Sequence, residues 1–276
     1  MNIYYTSIKG RRKTNEDRHN IILNIHDANK KINDINLLGI YDGHGGTYVS
    51  EYLASHIPLF YCHRELKAPF SREYHNKVFD DLQESILKTK KGQATGSTCL
   101  LNIMYRFKDN VHFNTVNLGD GRLVIVYKNG TAKQVTTDHK PDHPIEKERI
   151  NNLGGEIYND SEGVVRVGDL SLSRAFGDGD NAPYISNRPD IYYNTILPST
   201  KYIVMGCDGL WDVIQNEDLY KLLEEFSKKE KKNLAADLAK EALLRRTTDN
   251  VSVIVIEIDN FDKMCEYIIS ETSEDE

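Results

Sequence analysis

Apolar residues fall along this chain in two rhythms, one of short runs of strand length and one of helical stripes. Tyr4–Ile8 and Ile21–Ile25 read as strands, and Ile35–Tyr41 is an apolar run that ends in Asp42-Gly-His-Gly-Gly46. A helix is predicted from about Tyr48 to Ile57, closed by Pro58, and a second from Glu73 to Lys90 with Ser71 at its cap. Val78, Leu82 and Ile86, with Phe79 alongside, form the apolar stripe of that second helix. Four strands then follow with short connections: Ser97–Tyr105, Val111–Leu118, Leu123–Tyr127 and Thr131–Thr136. Asn129-Gly130 is a two-residue hairpin signal between the last two. A short helix, Ile145–Leu153, ends at Gly154-Gly155, and after Val164–Val167 the chain is loop-rich as far as Pro198. Tyr202–Cys207 is uniformly apolar, as a strand covered on both faces should be. Helices at about Glu217–Phe226 and Leu234–Arg245, with Asn216 and Asn233 at cap positions, precede a closing strand, Val251–Ile258.

Strands that pair locally, with helices in separated pairs, predict an α+β fold of antiparallel sheets packed together and covered by helices. The order does not alternate between strand and helix, which argues against a doubly wound parallel sheet. With no repeats and no Pro/Gly/Ser linker, the chain reads as one domain, 1–262, followed by a short acidic tail, 263–276, expected to be partly disordered. A single self-contained domain is expected to be a monomer.

Composition narrows the partners. The formal charge of −7 repels phosphate-rich polymers on average, so no nucleic-acid partner is expected. The basic run Lys228–Lys232 reads as a solvated stretch between helices. Cys62, Cys99, Cys207 and Cys265 have no CxxC spacing, which fits thiols in a reduced compartment better than a disulfide framework or a zinc site. The N-terminus lacks the basic and long apolar segments of a signal peptide, and no apolar stretch reaches the roughly eighteen residues a bilayer needs. The expectation is an intracellular soluble protein, cytoplasmic or nuclear, with no membrane contact.

Candidate chemistry lies at the strand ends. Asp42 follows one apolar strand, Asp208 follows another, and Asp249 precedes a third. Asp138 follows the strand Thr131–Thr136, and Glu16-Asp17 lies between the first two strands. An Asp-Gly after a strand is by itself usually a turn. Several carboxylates brought to one rim, however, repel unless a cation sits among them. Oxygen ligands without a His or Cys set favour Mg²⁺ or Mn²⁺ over structural zinc. Gly43 and Gly209 let backbone approach such an ion closely, and the Gly43 carbonyl could itself ligate. The residue pattern alone leads to a divalent-metal hydrolase and leaves its substrate open.

The motifs, taken in order, resemble a known family. They are Arg12-Lys-Thr-Asn-Glu16-Asp17, Asp42-Gly-His-Gly-Gly46, Gly96-Ser-Thr98, Asn117-Leu-Gly-Asp120 and Asp138-His-Lys-Pro141. Glu146-Lys-Glu-Arg-Ile150, Leu170-Ser-Leu-Ser-Arg174-Ala-Phe-Gly-Asp178, Cys207-Asp-Gly-Leu-Trp-Asp212 and Asp249-Asn250-Val-Ser252 complete the series. The chain resembles the metal-dependent protein phosphatases of the protein phosphatase 2C type over nearly its whole length. The resemblance implies a four-layer α-β-β-α sandwich that hydrolyses phosphoserine and phosphothreonine in phosphoprotein substrates. The nucleophile would be a water bridging two Mg²⁺ or Mn²⁺ ions, with no covalent phosphoenzyme. It implies that Asp42 bridges the two metals with the Gly43 carbonyl on one, that Asp208 and Asp249 hold the other, and that Glu16 reaches the cluster directly or through water. Asp17 would order metal-bound waters, Arg12 would grip the substrate phosphate, and His44 would be the general acid. Asp138, with Asp208, would hold a weaker third metal. Asp120, Asp178 and Asp212 read as structural, as do Arg149, Arg174 and Trp211.

Two departures stand out. Gly119-Asp120-Gly121-Arg122 lacks a hydroxyl that the family commonly has, and the stretch 179–198 corresponds to the variable flap beside the site. The alternative functions are a phosphatase-like scaffold without turnover, against which the retained Asp42, Asp208 and Asp249 weigh, and a metal-dependent phosphodiesterase, disfavoured by the acidic surface.

Overall fold

The computed structural model describes residues 1–25, 35–62, 68–107 and 110–259, so the tail 263–276 and Cys265 lie outside the described residues. The strands of its two large sheets are β1 Asn2–Ile8, β2 Arg18–Ile25, β3 Ile35–Tyr41, β4 Cys99–Phe107, β5 Asn110–Leu118, β6 Arg122–Tyr127, β7 Ala132–Gln134, β8 Asp190–Thr195, β9 Thr200–Gly206 and β10 Val251–Glu257. They form two five-stranded sheets, β1-β10-β9-β6-β7 and β8-β5-β4-β3-β2. Every ladder in both is antiparallel. The main helices are α1 Tyr48–Tyr61, α2 Arg72–Leu87, α3 Pro144–Asn152, α4 Leu219–Phe226 and α5 Leu234–Leu244.

Side chains alternate across each strand, and that period of two assigns residues to layers. Leu38, Ile40, Phe113, Ile125, Ile203 and Met205 point between the sheets and form the central core. Their neighbours Leu37, Tyr41, Leu101 and Val116 face the other way, onto Leu53 and Ile57 of α1 and Val78 and Leu82 of α2. On the opposite side Val124, Val204 and Val255 meet Leu223 of α4 and Leu238 of α5. The result is the four-layer α-β-β-α sandwich expected, and it explains why the central strands read as continuous apolar runs.

Several boundaries differ from the sequence expectation. Helix α1 continues through Pro58 to Tyr61, because Tyr61 is fully buried and hydrogen-bonds through its hydroxyl to His75 Nδ1 at 2.8 Å. Packing of that last turn outweighs the backbone hydrogen bond that Pro58 removes. Ser71 and Asn233 do cap α2 and α5, accepting from Tyr74 N and Ala236 N. Asn216 does not cap a helix: it opens a 3₁₀ turn ahead of α4, and its amide is spent on Arg122 and Gln134. Strand β8 arises inside the stretch read as loop, where Asp-Ile-Tyr-Tyr-Asn-Thr pairs with β5 at the sheet edge and shows little apolar patterning.

Ile203 tests the central core, since it is fully buried between the sheets. Ile203→Ala is expected to cost about 2–5 kcal/mol, read as a lower urea midpoint at an unchanged m-value.

Candidate active site

The expected carboxylates gather at one end of the sandwich. Asp42 follows β3, Asp208 opens the short helix Asp208–Trp211 after β9, and Asp249 stands two residues before β10. Carboxylate oxygens of Asp42 and Asp208 lie with Cys207 Sγ within 4.8 Å of one another. Together with Arg12, Glu16, Gly43 and His44, these three aspartates line a cleft of about 500 Å³.

Backbone close approach fixes this geometry. The Asp42 amide donates to Thr98 Oγ1 at 3.2 Å, and the Thr98 amide donates back to the Asp42 carbonyl at 2.8 Å. Gly43 and His44 then pair with Ser97 and Gly96 in a small ribbon, to which Phe176–Gly177 adds a third strand. A Cβ on Gly43 would stand 2.5 Å from the Glu16 carbonyl oxygen, so only glycine admits this crossing. Asn250 clamps the Arg12 loop from the other side. Its Nδ2 donates to the Lys9 and Thr14 carbonyls at 2.8 and 2.9 Å, and its Oδ1 accepts from the Glu16 amide at 2.9 Å.

Each remaining prediction finds a definite place. Glu16 accepts from the Thr14 hydroxyl at 3.1 Å and from the Gly46 amide at 3.0 Å, tying the glycine loop to the Arg12 loop. Asp17 is buried behind the cluster, with one oxygen accepting from Ser252 Oγ at 2.6 Å and the other without a partner. Arg12, over half exposed, contacts Asp249 Oδ2 through one terminal nitrogen at 2.7 Å. The Nε2 of His44 lies 2.7 Å from Asp178 Oδ2.

Asp138 is not brought to the site. Arg122 donates to both its oxygens, from Nη2 at 2.6 Å and from Nε at 3.2 Å, and Gln134 donates to one of them. Asp138 lines a separate surface depression, so its carboxylate is committed to an internal ion pair. Asp120 and Asp212, read as structural in the sequence, act electrostatically on Asp208 instead. Asp120 lines the catalytic cleft and pairs with Lys140, whose Nζ also lies 3.9 Å from Asp208. Arg166 and Asp169–Leu172 also line the cleft, and no residue of 179–198 does so. Asp120 and Asn250 stood inside recognised motifs, but only folding shows what they face. Nothing in the sequence marked Arg166.

Electrostatics set the character of the cluster. Burial, followed by the charges of Asp17 and Asp208, pushes the Asp42 carboxyl well above the usual carboxylate range. Burial and then Asp120 push Asp208 up to about 8, and burial pushes Asp17 to about 6. Asp208 Oδ1, like Asp17 Oδ1, is buried and unpartnered. Buried carboxylates with orphaned oxygens and raised proton affinity suit a hard divalent cation, which would take the protons' place. Cys207 does not fit that role as a thiolate. Burial first, and then the neighbouring aspartates, raise its thiol well above normal, and its sulfur accepts from the Ser252 amide at 3.2 Å.

The cleft at the end of this α-β-β-α sandwich is thus lined by carboxylates suited to a divalent cation. The family model for protein phosphatase 2C matches residues 2–251. A rice (Oryza sativa subsp. japonica) relative named probable protein phosphatase 2C 56 is 35% identical over 258 residues, 92% of this chain and 69% of its own length. A second rice relative, probable protein phosphatase 2C 7, is 32% identical over 264 residues, 93% and 65% of the two chains. This chain thus spans about two thirds of the length of these relatives. Among solved structures, a C. elegans sex-determining protein superposes with a TM-score of 0.83 at 26% identity, over 96% of this chain and 66% of that one. A serine-threonine phosphatase 2C from Toxoplasma gondii shares the fold, with a TM-score of 0.78 at 21% identity over 92% and 94% of the two chains. The chain belongs to the protein phosphatase 2C family, whose members are metal-dependent serine/threonine phosphatases.

Asp42→Asn is expected to stabilise the protein in EDTA at neutral pH by roughly 1 kcal/mol, or about 2–4 °C in Tm, because the amide is neutral without the uptake of a proton that the Asp42 carboxyl needs in the fold. The same variant should lose the stabilisation that added Mn²⁺ gives the parent. A lower Tm in EDTA would show that Asp42 is not held against repulsion.

Proposed function

We propose that this chain hydrolyses phosphoserine and phosphothreonine in proteins with Mg²⁺ or Mn²⁺ held by Asp42, Asp208, Asp249 and the Gly43 carbonyl. The observation that carries the reading is the convergence of Asp42 and Asp208 in a cleft that also contains Arg12 and His44. Bound there, a pair of divalent cations supplies Lewis acidity that lowers the pKa of water toward neutrality and offsets phosphate charge.

The chain's own groups do the rest. Arg12 presents planar, permanently charged donors to two phosphate oxygens, and its exposure lets it meet a phosphorylated side chain at the surface. Water attacks phosphorus opposite the leaving oxygen, keeping one proton on the new phosphate oxygen and releasing the other to solvent. The P–O bond breaks, its electron pair goes to the seryl or threonyl oxygen, and that oxygen takes a proton from His44. Asp17 and Ser252 brace the cluster from behind, and Glu16 and Asn250 fix the loop that carries Arg12. No side-chain nucleophile is needed, and Cys207 stays protonated in its buried position. Asp120 and Asp212, beside Asp208, are the carboxylates available to a further, weaker cation, in place of Asp138.

Phosphate release from a phosphothreonine peptide, compared in EDTA, Mg²⁺ and Mn²⁺, tests the reading. Release should require metal, and Asp208→Asn should abolish it while the protein stays folded. Arg12→Ala should lower kcat/KM by about 10–100-fold, the worth of hydrogen bonds to a charged group. Full activity in EDTA or in Asp208→Asn would overturn the metal assignment. Folded protein inactive under every metal would favour the scaffold.

A further inference from the structure

His44 is held from behind by a carboxylate that none of the roles above uses. Its Nε2 lies 2.7 Å from Asp178 Oδ2, and the Asp178 side chain is only 4% exposed, whereas His44 lines the cleft at 24%. The local backbone is built around this pair. Asp178 takes the left-handed conformation, φ 51° and ψ 35°, which side-chain-bearing residues rarely adopt. It is pinned there by its amide donating to the Thr95 carbonyl at 3.0 Å and by its carbonyl accepting from the Asn181 amide at 2.9 Å. Gly96 faces His44 on one side of the small ribbon and Gly177 on the other, so Asp178 leaves the ribbon level with the imidazole. A Cβ on Gly96 would stand 2.1 Å from Asp178 Oδ2 and 2.3 Å from His44 Nε2, in the space between them. Three features therefore serve one contact: a buried acceptor, an unusual backbone angle and a missing side chain.

We propose that Asp178 is a positioning residue for His44. It accepts from Nε2–H, sets the rotation of the ring and leaves Nδ1 as the nitrogen that hands its proton to the leaving oxygen. After transfer the ring is neutral, still bonded to Asp178 through Nε2–H, and takes its next proton from water. The inference rests on the reading of His44 as proton donor, so its test must separate the two.

The leaving group makes that separation. A serine or threonine alkoxide needs a proton as it departs, and p-nitrophenolate does not. The experiment measures metal-saturated kcat on a phosphothreonine peptide and on p-nitrophenyl phosphate for His44→Ala, Asp178→Gly, Asp178→Asn and the double variant His44→Ala/Asp178→Gly. Glycine suits the left-handed angle while removing the carboxylate, and asparagine tolerates it while keeping an acceptor. The expected result is a loss on the peptide of at least about 100-fold for His44→Ala, and of roughly 10–100-fold for Asp178→Gly, with under about 3-fold change on p-nitrophenyl phosphate. Asp178→Asn should recover most of the loss, and the double variant should be no slower than His44→Ala alone. Gly96→Ala, which wedges a methyl into the pair without altering either side chain, should reproduce the peptide-selective loss and serves if Asp178→Gly does not fold. Equal losses on both substrates from Asp178→Gly or Gly96→Ala, or a loss that adds to that of His44→Ala, would overturn the inference alone. Absence of leaving-group selectivity in His44→Ala itself would overturn the proton-donor reading and the inference with it.

Discussion

Repulsion among crowded, partly buried carboxylates governs this site. Burial raises the proton affinity of Asp42, Asp17 and Asp208, and the charges of neighbouring aspartates, Asp120 and Asp249 among them, raise it further. Left without a cation, such a cluster works against the fold that creates it. It persists because the groups around it are over-determined. Two sheets, stitched by antiparallel ladders and sealed by a central layer of Leu, Ile, Phe and Met, deliver the strand ends to fixed positions. Small backbone-to-backbone contacts at Gly43 and Gly209 then remove the last freedom, since a Cβ at either would run into the backbone of Glu16 or Asn250. Stability given up locally leaves carboxylate oxygens close together, the arrangement that the proposed metal binding needs.

Around that centre the supporting groups divide the work by layer. Asn250 and Glu16 hold the loop bearing Arg12, Ser252 holds Asp17, and the ribbon of Gly43–His44, Gly96–Ser97 and Phe176–Gly177 holds His44 against Asp178. Arg12 and His44, the groups proposed to touch substrate, are more exposed than their partners Asp249 and Asp178. That arrangement lets a phosphorylated side chain approach while the geometry behind it stays rigid.

Much of this was legible in the chain itself. Apolar runs covered on both faces announced a sandwich under helices, and Asp residues placed where those runs stop announced the rim. Motif order singled out Asp42, Asp208 and Asp249, which the fold brings to one cleft. What could not be read was the direction in which a side chain turns after its strand ends. Asp138 sits in a recognised motif, yet Arg122 from the neighbouring strand captures it, and that ion pair depends on a register no local pattern states. Asp120, Asp178 and Asp212 lay in motifs too and were read as structural, because their partners are 20 to 134 residues away or are other carboxylates. The edge strand β8 was missed for a related reason: an edge needs little apolar patterning when one neighbour and a few tyrosines suffice.

The electrostatics imply that Asp42 and Asp208 hold protons where a divalent cation would otherwise sit. Calorimetric titration of Mn²⁺ into the metal-free protein near pH 7, repeated in buffers of different ionisation enthalpy, reads this directly. Saturable binding is expected, with an apparent heat that changes with the buffer because the cation displaces protons from Asp208 and its neighbours, and both effects should vanish in Asp208→Asn. Binding without proton release, or binding undiminished in that variant, would place the metal elsewhere and contradict it.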